Sequence, residues 1–197
     1  MRLLFLSLAL VANVGMASTL TAQNSPPRNA RANENLTTSP APKVGCMALT
    51  EAKNTLTPVI LYRASADCIS QGKYDQATDL FALAGMYTRF DAKRVTDRTA
   101  TQVIPALIMS TFASASDEQR SKFGDAFTRS TGTPVLLNKL CRQIKQIGMP
   151  DYYPDYMIQH GMKAFTGNPD DGALQKDFDG PTVWKSLQSS YLHCPSN

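Results

Sequence analysis

Residues 61–84 read LYRASADCISQGKYDQATDLFALA, and their pattern decides the fold class. Leu61, Ala64, Cys68 and Ile69 recur at helical spacing. After the turn Gln71-Gly72-Lys73, Ala77, Leu80, Phe81 and Ala84 do the same. Gly72 reaches the positive φ that stops the first helix, and Tyr74 opens the second. Helices this short are marginal alone in water, so each apolar stripe needs the other.

Downstream the helical pattern continues. Phe90-Asp91-Ala92 suggests a break, with Asp91 as a helix cap. Thr96 to Met109 is helix-compatible apart from Pro105, which should kink or divide it near Ile104. Ser116 is placed to cap a helix over Asp117 to Arg129, whose first-turn acids Asp117 and Glu118 suit the helix dipole and whose buried face is Phe123, Ala126 and Phe127. Thr133 caps the next, with Pro134 at its first position. From Pro134 to Ile147 one stripe carries Leu137, Leu140, Cys141, Ile144 and Ile147, while Arg142, Gln143, Lys145 and Gln146 face water; Gly148 and Pro150 end it. A further helix is predicted from Pro154 to Phe165. A last one runs from Pro181 to Tyr191 and carries Trp184, the one tryptophan. No run alternates as a strand would. The expectation is an all-α bundle of about six to eight helices.

Residues 61–84 also resemble a single tetratricopeptide repeat. The turn glycine, the aromatic two residues on, and then Ala, an aromatic and Ala fall at Gly72, Tyr74, Ala77, Phe81 and Ala84. Leu61 and Ala64 match the early positions of the first helix. Ser65 stands where a glycine is usual, Arg89 stands where the closing proline belongs, and no second copy occurs at that period. An ordinary helical hairpin satisfies the same pattern. The resemblance implies a protein-binding scaffold with no chemistry of its own.

Upstream, Met1 and Arg2 precede the apolar run Leu3 to Val14, and small residues follow. The order is that of a secretory signal peptide, residues 1–17, with a second cleavage position after Ala22; the run is too short to span a bilayer. Residues 18–43 hold Pro26, Pro27, Pro40 and Pro42 among Asn, Ser, Thr and Arg, and read as a disordered tether. Asn35-Leu36-Thr37 within it is a glycosylation sequon. Residues 44–197 then form one domain, large enough for a real core and without a transmembrane stretch.

Four cysteines fall in that domain: Cys46, Cys68, Cys141 and Cys194. An even number in an exported chain argues for two disulfides. Three pairings are open. Cys46–Cys68 with Cys141–Cys194 is preferred, because it ties the start of the domain to the hairpin and the tail to an internal helix. The wide spacing does not suit zinc.

Candidate chemistry is sparse. Asp151, Asp155 and His160 offer two carboxylates and an imidazole, enough for a small envelope hydrolase in principle. They match no metalloprotease or calcium-loop motif, and the acids also sit where helix-start acids belong. There is no nucleophile elbow and no phosphate loop, so no cofactor or metal is predicted. The formal charge is +4, falling to +3 when Arg2 leaves with the signal. Lys93, Arg94 and Arg98 are the densest basic group and a candidate partner-binding patch for an acidic protein or an anionic envelope surface; interspersed with Asp91 and Asp97, they also suit a solvated helix face. A dense basic stripe for nucleic acid is missing. Tyr152, Tyr153 and Tyr156 cluster around prolines in MPDYYPDYM and are the candidate partner surface. The sequence therefore predicts an exported, non-catalytic protein-binding module, with a periplasmic inhibitor or toxin-immunity protein as its specific form, and an envelope hydrolase or a helical scaffold as the alternatives.

Overall fold

A computed structural model describes residues 44–168 and 171–195. The predicted signal peptide, tether and sequon lie outside the described residues. Eight helices follow in order: α1 (Pro58–Ser70), α2 (Tyr74–Arg94), α3 (Val103–Phe112), α4 (Asp117–Gly132), α5 (Pro134–Ile147), α6 (Asp155–Ile158), α7 (Lys163–Thr166) and α8 (Gly180–Ser190). Short 3-10 turns at Leu49–Glu51 and Arg98–Gln102 complete them. Among the described residues there is no β-strand; one isolated bridge joins Val95 to Leu174. The protein is an all-α bundle stapled by two disulfides, Cys46–Cys68 and Cys141–Cys194, the preferred pairing. No helix among the described residues is long and apolar enough to cross a membrane.

The hairpin α1–α2 is the centre. Gly72 takes φ +70, a backbone state that a side chain disfavours, and the chain reverses there. Lys73 N–H donates back to the Cys68 carbonyl at 2.9 Å, and the Ser65 hydroxyl donates to the Ala77 carbonyl at 2.8 Å, locking one helix on the other. Helix α2 is enclosed on all sides at its middle: every residue from Ala82 to Thr88 is buried. Against its first half, Phe81 meets the rings of Tyr62, Phe112, Phe123 and Phe127 at centroid distances of 5.1–6.1 Å. Against its second half, Tyr87 and Phe90 meet Trp184 of α8 at 5.7 and 6.1 Å. These are edge-to-face and tilted pairs, the arrangements favoured by ring quadrupoles.

Two expectations need correction, and one holds. Helix α2 does not break at Asp91, which is fully buried inside it and caps nothing. The division expected near Ile104 is present: the 3-10 turn ends at Gln102 and α3 starts at Val103, with Pro105 as its third residue, where the missing N–H would have had no intrahelical partner. The predicted helix Pro154–Phe165 is two helices. Asp97 Oδ2 accepts from Lys163 N–H at 2.9 Å and Thr99 Oγ1 from Met162 N–H at 2.8 Å. Those distant side chains satisfy the first donors of α7 and so start a new helix there.

Other local rules hold. Ser116 forms a capping box with Gln119, α5 spans Pro134–Ile147, and Gly148 ends it at φ +87. Asp179, accepting from Thr182 N–H, caps α8.

Candidate functional site

The last three turns of α2 present two unlike faces, and the spacing of their charges explains both. Residues three or four apart share a helix face. Asp91 and Arg94 share the inner one; Arg89 and Lys93 share the outer one.

On the inner face Asp91 is a buried hub. Arg94 binds Oδ1 at 2.8 Å, and the Tyr152 and Tyr156 hydroxyls donate to Oδ2 at 2.9 and 2.8 Å. Arg94 also donates to the Tyr152 carbonyl at 2.8 Å. Burial pushes the Asp91 carboxyl up, opposed by the Arg94 guanidinium and the two hydroxyls. Burial likewise pushes both tyrosines well above their ordinary value. The network ties α2 to Tyr152 and, through Tyr156, to α6. Of the predicted tyrosine surface, two hydroxyls thus turn inward to Asp91, and Tyr153 is the exposed member at 43%. Arg94 is likewise engaged inside.

Asp151, Asp155 and His160 are placed by separate local tasks. The Asp151 amide donates to the Asn54 carbonyl at 2.9 Å. Asp155 opens α6. His160 follows α6, and its ring folds back on that helix, with Nδ1 2.7 Å from the Tyr156 carbonyl, so Nδ1 carries the proton and donates. Burial pushes its imidazole down, against that carbonyl. Among the described residues no group of three or more His, Cys, Asp or Glu is arranged to hold a metal ion.

On the outer face lies a cleft of about 440 Å³ between the end of α2, the 3-10 turn and the end of α8. Arg89, Lys93 and Arg98 line it, with the hydroxyl-bearing Thr101 and Ser190 and the Tyr191 ring. Ala92 and Leu187 supply apolar wall, and among the described residues no carboxylate lines it. The Arg89 guanidinium lies 3.7 Å from the Tyr191 ring centroid, a cation–π contact that holds it flat. Gly85 makes room for that ring: a Cβ there would run into the Tyr191 hydroxyl. The Cys141–Cys194 bridge anchors the chain three residues beyond Tyr191, and so helps hold the wall.

The sequence pointed to Lys93 and Arg98 and missed Arg89, Thr101, Ser190 and Tyr191. The i, i+4 spacing of Arg89 and Lys93 was a signal for the first; nothing local links α2 to Tyr191. The acids that made this look like a mixed solvated face are employed elsewhere. Asp91 is at the hub, and Asp97 accepts from Thr99 and Lys163, which holds its carboxyl below the usual range. Compared with known proteins, the chain matches no family model, no curated protein and no solved structure.

Proposed function

We propose that this protein is an exported protein-binding module that acts by contact, in the periplasm or outside the cell. The cleft carries the reading: three cations line one open depression, and among the described residues no acid joins them. Two disulfides fit an oxidising compartment, and the sequence of residues 1–17 has the order of a secretory leader. A periplasmic inhibitor or immunity protein against a toxin is the specific form these features suit. Such a protein needs a stable, stapled body and one selective surface.

The test is cross-linking in the native envelope, followed by reconstitution with the purified partner. A stoichiometric complex is expected, and its absence would overturn the reading. Replacing Asp151, Asp155 and His160 together by Ala tests the hydrolase alternative: biological activity is expected to survive in a folded triple variant.

A further inference from the structure

We infer that the cleft between α2 and α8 is a receptor for an acidic peptide segment of the partner, with Arg89, Lys93 and Arg98 taking its carboxylates and Tyr191 forming the wall it lies on. The inference rests on the protein-binding reading and names its chemistry.

The donors are arranged for this. Arg89 spends one N–H on the Gly85 carbonyl at 3.2 Å, and Arg98 spends one on the Ala92 carbonyl at 2.8 Å. A guanidinium has five donors, so each is braced on a carbonyl of α2 and keeps donors for a carboxylate. Lys93 is exposed between them, and no salt bridge engages its ammonium among the described residues. The Thr101 and Ser190 hydroxyls in the lining donate to the Arg98 and Ser186 carbonyls, which leaves the three cations as the donors for an anion.

Size and wall chemistry select the class. The volume lies in the range of small-ligand clefts, room for two or three side chains and far more than one inorganic anion fills. Ala92, Leu187 and Tyr191 give apolar area for the methylenes of Glu or Asp, which bare phosphate would not use. The chain's own residues 18–43 are a poor occupant on charge, with Arg28, Arg31 and Lys43 against Glu34.

The experiment is fluorescence anisotropy on the full mature chain with labelled hexaglutamate and hexaglutamine peptides. Hexaglutamate is expected to bind, more weakly as salt rises, and hexaglutamine not to bind. Arg89→Gln and Arg98→Gln should each weaken binding about fivefold, and the double variant more than either. Lys145→Gln, an exposed cation on α5, should leave it unchanged. Circular dichroism confirms that each variant is folded. Three outcomes would overturn the inference: equal affinity in the folded double variant, equal loss in Lys145→Gln, or displacement of the peptide by inorganic phosphate or phosphatidylglycerol vesicles. The two readings fail separately. A native partner that binds while hexaglutamate does not removes the acidic-segment assignment and leaves protein binding standing. A hexaglutamate complex that depends on Arg89 and Arg98, with no native partner, removes the functional reading and leaves the chemistry of the cleft.

Discussion

Both halves of α2 pack against rings, and the second half adds a buried charge network. The first half is packed by rings and aliphatic side chains: Leu80 and Leu83 are fully buried, and Phe81 touches four aromatic residues. The second half ends in charge, with a buried Asp91 on one side and three cations on the other. Apolar contacts are non-directional and tolerate rearrangement. A buried carboxylate does not: each lone pair needs its donor, so the positions of Arg94, Tyr152 and Tyr156 are tightly specified. Packing along both halves stabilises the fold, and the charge network of the second fixes where Tyr152 and α6 sit.

That contrast can be broken experimentally. Asp91→Ala should cost about 3–5 kcal/mol in urea unfolding, because it leaves the Arg94 guanidinium nearly buried without its counter-charge. Phe81→Ala, at a half-buried site, should cost about 3 kcal/mol from lost packing alone. The two sites are ten residues apart on one helix, about 15 Å, so the double variant should be additive. A coupling above about 1 kcal/mol would show that the halves are not separate.

Replacing Cys141 and Cys194 together by Ser should lower stability by about 2–4 kcal/mol. It should also weaken hexaglutamate binding, because Tyr191 loses its nearby anchor. Loss of stability with intact peptide binding would show that α8 holds the wall without the bridge.

Asp79 gives a smaller effect, on the first half. Burial pushes its carboxyl up to about 6 from the usual 3.8, with Lys139 opposing and Asp75 adding. The folded state therefore holds this proton to higher pH than the unfolded chain. Stability from this group is full below 3.8 and is lost as pH rises towards about 6. Asp79→Asn should stabilise the protein at neutral pH by about 1–2 kcal/mol, discounted for partial exposure, and the gain should vanish in acid. A flat difference between variant and wild type across pH would contradict it.

The smallest effect belongs to His160, whose imidazole is pushed down from 6.5 in the folded state. The unfolded chain takes up this proton first. The contribution is present above pH 6.5 and is lost below it. Wild type should lose a little stability on acidification through that point, and His160→Gln should flatten that loss, read from urea midpoints at several pH values.

Much of the fold was legible because its signals are local. Gly72, the Ser116 cap, Pro134 and Gly148 act through backbone states and hydrogen bonds within a few residues, so they mark helix ends wherever the chain goes. The failures share another cause. Asp91 reads as a cap because Asp is a good cap; it becomes a hub only when Tyr152 and Tyr156 arrive from about sixty residues away. The break before α7 is likewise set by Asp97 and Thr99, which no local pattern announces.

The sequence by itself determined the helical class, the main helix ends and the number of bridgeable cysteines, since periodicity, capping and thiol count belong to the chain. Only the tertiary structure decided which charges remain available. One residue's shift along α2 turns a side chain by about 100°, so Lys93 faces the cleft while Arg94 faces Asp91. Whether a cation is free to meet a partner depends on what packs against each face, and that is settled by contacts distant in sequence.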